Sequence, residues 1–370
     1  MMKLIKYLFM VTCVSLAGMQ NANAITTCTL PASVPVNYTV PLAPQNITVG
    51  PDIPNGTVIY RLNFNQPVID GFVCSTPQGG SFSLPQRLDY TSLPMPLANW
   101  SGTPFPGKVY NTSVPGIGVV AWNDLSNQAL PTVAFTTTST GGDFSFWVRI
   151  NTVLSFIKIG PVSPGVISGA SLPKVHLDFA ADPSVAGTSK RIYNLSYTGS
   201  INVVSQTCST PDVNVSLGSY HVSKFTGKGS TTPWVDSSIV IRNCPRFYGY
   251  FNNSNFNTSA GAGSTAVGNA ETNILSVSLT PQNAVLDSTR GIMALATSTD
   301  AAKGVGIQLG WGEATAAPNL VNFSQTQNYA MPNNTQTDFR FPLVARYYQT
   351  DSVVSPGKAN GKLTFTINYY

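Results

Sequence analysis

Gly361-Lys-Leu-Thr-Phe-Thr-Ile-Asn-Tyr-Tyr370 closes the chain, and within it Leu363, Phe365, Ile367 and Tyr369 alternate strictly with polar residues. Alternation with a period of two marks a strand with one face buried. Chain ends fray unless something holds them, so a terminal strand patterned this well is expected to lie in a sheet. An outer edge left without a neighbour would be a template for a strand from another chain.

The same period recurs upstream, in Val213-Asn-Val-Ser-Leu217, Ser238-Ile-Val-Ile-Arg242, Ile274-Leu-Ser-Val-Ser-Leu279, Val305-Gly-Ile-Gln-Leu309 and Phe341-Pro-Leu-Val-Ala-Arg-Tyr-Tyr348. With the terminal strand these segments predict an immunoglobulin-like sandwich. The Asn-, Ser-, Gly- and Ala-rich stretch 251–270 reads as a loop with no assigned role. Further upstream, strands are expected at Val58–Leu62, Gly118–Trp122, Thr132–Phe135, Phe144–Ile150 and Val175–Phe179, separated by proline-rich connections, and they predict a second β-sandwich.

Composition agrees with an all-β chain. Only 9% of residues are charged, against about 25% in ordinary soluble domains, while 31 glycines and 27 prolines punctuate short β-prone runs. At the N-terminus Lys3 and Lys6 precede a short apolar run and Ala22-Asn23-Ala24, which reads as a secretory signal peptide over 1–24. No other run reaches the ~20 apolar residues that a membrane span requires. Loss of Lys3 and Lys6 takes 20 basic residues to 18 against 15 acidic ones, too small an excess to point to nucleic acid.

Cys13 would leave with the signal, and Cys28, Cys74, Cys208 and Cys244 remain, an even number in an exported chain. Four cysteines allow three connectivities. They fall as an early and a late pair, so local pairing is expected, Cys28–Cys74 and Cys208–Cys244, each worth roughly 3–4 kcal/mol in the chain-entropy model. About 346 mature residues exceed what one sandwich core organises. Two domains are therefore expected, 25–198 and 199–370, each owning one cysteine pair.

These features together resemble the chaperone–usher fimbrial tip adhesins of Gram-negative bacteria, which join an N-terminal lectin domain to a C-terminal pilin domain. Subunits of that family end in a strand with a penultimate aromatic residue and a glycine fourteen residues from the end. Here Tyr369 is penultimate and Gly357 is fourteenth from the terminus. Gly304-Val-Gly-Ile-Gln-Leu-Gly310, Ala345-Arg-Tyr-Tyr-Gln-Thr350 and the late cysteine pair also match, so the resemblance spans most of 201–370. In the first half it rests on Val109–Val119, Ile157–Val162 and the early cysteine pair, and follows position and character rather than motif.

The resemblance implies a pilin domain that lacks its last strand, with an apolar groove beside the terminal strand. A periplasmic chaperone would lend a strand first, and the N-terminal arm of the next subunit would replace it at the outer-membrane usher, by main-chain pairing and alternate side-chain pockets. Leu363, Phe365, Ile367 and Tyr369 would lie along that groove, and the Tyr370 carboxylate would dock on the chaperone. Only Ile25, Thr26 and Thr27 precede Cys28, which leaves no arm of about ten residues to donate and implies a place at the fimbrial tip. Leu30, Ala32, Val34, Val36, Tyr38, Val40 and Leu42 also alternate, but Pro31, Pro35, Pro41 and the Cys28 tether favour a strand inside the first domain.

Lectins grip sugars with aromatic faces and with Asp or Asn side chains on loops carried by a rigid sandwich. The foremost candidate cluster is Trp122-Asn123-Asp124, with Trp100 beside Asn99, and Asp89 beside Tyr90, behind it. For each, a purely structural role weighs more on sequence alone. The stretch that would correspond to the family's mannose pocket reads Gly160-Pro-Val-Ser-Pro-Gly165 and lacks its acidic and amide residues. Gly116-Ile-Gly-Val-Val-Ala121 opens no helix and is no dinucleotide motif, and Gly227-Lys-Gly-Ser-Thr231 is no phosphate loop. His176 and His221, the only histidines, have no neighbours that suggest zinc or nucleophilic catalysis, so no metal or cofactor is expected.

The leading reading is thus a tip adhesin that binds a host glycan or glycoprotein through 25–198 and joins the fibre through 199–370. A structural fimbrial adaptor without a ligand is the alternative. An enzyme is not expected, because a glycosidase needs two carboxylates about 5–10 Å apart and nothing in the sequence identifies such a pair.

Overall fold

The computed structural model describes residues 25–370 apart from 44, 188, 189 and 262, so the signal-peptide reading of 1–24 lies outside it. Among the described residues the chain is all-β, with two three-residue 3-10 turns and no α-helix.

The first core lies between two sheets. One has the order Thr27–Thr29, Ile69–Ser92, Lys174–Phe179, Lys190–Thr198, Val36–Pro41, with Thr132–Val148 also paired to Ile69–Ser92. The other runs Asn257–Ser259, Val58–Phe64, Thr152–Lys158, Ile117–Asn123, Tyr110–Asn111. Aromatic side chains bridge the gap: Tyr38 meets Phe64 at 5.1 Å, and the Tyr193 hydroxyl bonds that of Thr152 at 3.0 Å. The two runs expected at 132–135 and 144–150 fall in one long strand, Thr132–Val148, paired antiparallel with Ile69–Ser92, and Gly79, Gly141 and Gly142, all at positive φ, lie at the irregularity between Thr76 and Ser81 midway along the pair. Val36–Pro41 pairs in parallel with Lys190–Thr198, so the alternation at 30–42 belongs inside this core.

The second core draws on residues between Cys208 and Tyr369. One sheet has the order Val235–Asp236, Leu343–Gln349, Val305–Trp311, Ile292–Ala294, Val285–Asp287, and another Gln327–Ala330, Ile274–Pro281, Leu363–Tyr369. Both expected disulfides are formed. Cys28 stands directly opposite Cys74 in an antiparallel pair, which brings the two sulfurs together.

Three expectations change. Ser200–Val204, which sequence placed at the start of the second unit, pairs with Gly165–Ser168 and Gln45–Thr48 and buries Ile201 and Val203 in the first core. Val213–Leu217 is no strand, because no neighbour pairs with it. The stretch 251–270 is not simply a loop: Asn257–Ser259 pairs in parallel with Leu62–Phe64, and Phe251, 4% exposed, packs in the first core against Tyr60. Polar composition hid this strand because it is held by main-chain bonds and by buried Asn257 rather than by an apolar face.

Candidate functional site

The terminal strand Leu363–Tyr369 lies at the edge of its sheet and pairs on one side only, antiparallel to Ile274–Pro281 with Leu275 opposite Tyr369. Tyr370 exchanges both main-chain bonds with Ile274, and Lys362 accepts from the Gln282 amide. Main-chain groups alternate in direction along a strand, so the even-numbered residues face the neighbour and Leu363, Phe365, Ile367 and Tyr369 face away. Their side chains point inward: Leu363, Phe365 and Ile367 are half-buried and Tyr369 is 7% exposed. Burial raises the Tyr369 phenol pKa, and its oxygen accepts the Cys208 amide at 3.1 Å.

Beside this edge lies a groove of about 1320 Å³, floored by Met293, Ile307, Leu309, Leu343 and Ala345. Its far bank is the segment 212–222, where Val213 and Val215 are each 37% exposed and no strand pairing is made. Both banks therefore carry alternating apolar side chains. Gly357 lines the same groove, and a side chain there would bring its first carbon within 2.4 Å of the Ala302 amide nitrogen, so the close approach demands glycine.

The polar and aromatic candidates of the first core are engaged within the chain. Trp122 is 7% exposed; its indole donates to Ser155 Oγ at 3.0 Å, Phe105 packs 5.5 Å away and the Arg61 guanidinium lies 4.9 Å over its ring. Arg61 also lies 4.8 Å over the Phe256 ring, and burial lowers its pKa, partly countered by Asp124. Asn123 is fully buried, donates to the Asn151 carbonyl and accepts from the Ser126 amide, so it fixes the turn after its strand. Trp100 packs in the same small cluster and donates to the Pro104 carbonyl. Asp124 alone of the four is exposed, with one bond from Asn151 at 3.4 Å.

Asp89 pairs with Arg87 at 2.9 Å, and the Tyr90 hydroxyl meets the Ala121 main chain. His221 caps the 3-10 turn Val222–Lys224. His176 belongs to a polar row that sequence did not single out: it bonds Thr91 and lies 3.3 Å from Asp178, which accepts from Arg191, which donates to Asn194, which donates to Asn37. Burial would raise the Asp178 carboxyl, but the bonds from His176 and Arg191 hold it below its ordinary value. The polar positions of Lys174–Phe179 and Lys190–Thr198 carried the signal for this row, which appears only once the strands are placed side by side.

Comparison with known proteins gives a family model described as "Fimbrial protein" over residues 195–370. The fimbrial subunit type 1 of Salmonella typhimurium is 32% identical over 160 residues, which cover 43% of this chain and 71% of that protein. The type-1 fimbrial protein A chain of Salmonella typhi matches with the same identity and coverage. Among solved structures, the CupB6 tip adhesin from Pseudomonas aeruginosa is 15% identical with a TM-score of 0.35, over 85% of this chain and 94% of that one. The receptor-binding domain of the Klebsiella pneumoniae adhesin MrkD1P is 21% identical with a TM-score of 0.33, over 50% of this chain and 98% of that one.

Proposed function

The chain belongs to the fimbrial protein family, and from that premise we propose that it is a two-domain tip adhesin, with a ligand-binding unit up to Val204 and a pilin unit from Ser205 onward. The pilin unit accepts a strand from another chain: a periplasmic chaperone first, then the arm of the next subunit at the outer-membrane usher. The observation that carries this reading is the one-sided pairing of the terminal strand beside an apolar groove lined on its other bank by the unpaired segment 212–222. Such an edge aggregates unless it is covered, and strand addition covers it with main-chain bonds while alternate side chains fill the floor. The segment after Val204 runs straight from the first core into the second, so it has no free arm to lend, which supports a place at the fibre's end on the cell surface.

The test is uptake, by the purified full chain, of a synthetic peptide copying the N-terminal arm of the Salmonella typhimurium fimbrial subunit type 1. Uptake that turns an aggregating chain into a stable monomer supports the reading. A chain that is already a stable monomer and takes up no peptide overturns it.

For the first unit we propose a host-surface glycan as ligand, with exposed Asp124 as the contact at the rim of the Trp122 cluster. The engagement of Trp122 and Asn123 within the chain favours the second reading, a structural adaptor. Glycan-array screening of the strand-complemented full chain separates the two, since silence on the array together with absence of cell binding leaves the adaptor.

A further inference from the structure

We propose that the turn at 50–53 in the first core is a stop that fixes where an incoming strand seats on the terminal strand. The proposal rests on the strand-accepting reading above and adds the partner's register to it. Of the four residues whose main-chain groups face the open edge, Leu363, Phe365 and Ile367 meet no partner among the described residues. At Tyr369 both groups are taken: its amide donates to Asp52 Oδ2 at 2.8 Å, and its carbonyl accepts the Asp52 amide at 3.2 Å. One residue of a neighbouring strand would make the same two bonds, with the Asp52 carboxylate here standing in for a strand carbonyl. The turn also sits tight against the edge, since a first side-chain carbon on Gly50 would lie 2.1 Å from the Tyr369 oxygen.

The consequence is a restriction on the partner. It pairs with Leu363, Phe365 and Ile367 and ends or turns away where it meets the backbone of 50–53. A slip by one residue would turn its apolar side chains away from the groove floor. A slip by two toward the first core keeps the faces but drives the strand into the turn. Alternation excludes the odd slip and the stop excludes the even slip toward the first core, so the edge accepts an extended segment with alternate apolar residues whose approach to Tyr369 has a fixed limit. Proline is excluded at the positions that donate to the three free carbonyls.

Amide hydrogen exchange at single-residue resolution tests this on the full chain, with and without the Salmonella typhimurium arm peptide. Without peptide, the Tyr369 amide exchanges slowly and those of Leu363, Phe365 and Ile367 exchange fast. Peptide protects those three. In Asp52→Ala, Tyr369 exchange rises about tenfold or more both with and without peptide, because a charge-assisted bond is lost in either state. Asp52→Asn keeps an acceptor and restores most of the protection.

If Asp52→Ala speeds Tyr369 exchange only in the free chain, the peptide displaces the turn and the stop is overturned while strand acceptance stands. Fast Tyr369 exchange in the unmodified free chain overturns the stop as well. A peptide that protects none of Leu363, Phe365 and Ile367 overturns the strand-accepting reading itself, and the stop with it. Asp52 is exposed, so its replacement leaves the fold in place. Gly50→Ala gives a second route, in which the turn is pushed off the edge and peptide protection extends to Tyr369.

Discussion

Phe251→Ala tests whether the two halves of the chain share a core. The side chain belongs by sequence to the second half, yet it is 4% exposed among first-core residues, edge-on to Tyr60 at 6.1 Å, and its amide donates to the Ile59 carbonyl. Truncating a buried phenylalanine to alanine costs about 3–5 kcal/mol, as the lost transfer energy plus the cavity left behind. For a unit of this size, that corresponds to a melting shift of roughly 6–20 °C. Phe247→Ala is the control, since Phe247 is buried beside Phe339 in the second core. The assay is hydrogen exchange of the full chain against denaturant, read at Val58–Phe64 for the first core and at Val305–Trp311 for the second. Phe251→Ala is expected to lower protection of Val58–Phe64, and Phe247→Ala that of Val305–Trp311. If Phe251→Ala costs less than about 1 kcal/mol at Val58–Phe64, or acts only on the second core, the shared-core argument fails. The same reasoning predicts that a fragment ending at Val204 aggregates or melts early, because it lacks both Phe251 and the strand that covers the Val58–Phe64 edge.

Phe365→Asp is expected to weaken uptake of the arm peptide by roughly a hundredfold, measured by fluorescence anisotropy, because the groove then buries an unpaired charge. First-core protection stays unchanged. Trp122→Ala is expected to cost about 3–5 kcal/mol in chemical denaturation, while Asp124→Ala stays within about 0.5 kcal/mol; if Asp124→Ala abolishes glycan binding without loss of stability, the proposed contact stands, and unaltered binding removes it. Asp178 has a carboxyl pKa held below its ordinary value in the fold, so its contribution is complete above the unfolded carboxylate range and is lost as pH falls below about 4. Asp178→Asn should lower stability at neutral pH by about 1 kcal/mol and flatten the acid limb of a denaturation series, and an unaltered acid limb would show that the His176–Asp178–Arg191 row is not coupled to folding.

Apolar alternation made most of the second core legible. Ile274–Pro281, Val305–Trp311 and the terminal strand lie where the period of two places them, because the alternate apolar side chains of each pack into the second core. The cysteine pairs were legible for a related reason, since each bridges segments close in sequence. Asn257–Ser259 gave no such signal. Its residues are polar, and its place is set by the main-chain edge of Val58–Phe64, more than 190 residues away along the chain, and by side-chain bonds such as Asn257 to the Arg61 carbonyl. A side-chain pattern says which face a residue takes and leaves open whose edge its backbone meets.

The same limit explains why the two kinds of site read so differently. Trp122 and Asn123 were candidates because an aromatic next to an amide at a strand end suits a sugar, a structural role weighed more, and the sequence did not say that Ser155, Phe105, Arg61 and Asn151 would be the groups that engage them. Val213–Leu217 and Leu363–Tyr369 share one alternating pattern, and among the described residues only the second has a partner strand. Alternation in Val213–Leu217 therefore fits the proposal that a strand from another chain completes this groove. A strand pattern left unpaired among the described residues, set opposite an edge with three free residues and floored by apolar side chains, is the feature on which the proposed strand-accepting role rests.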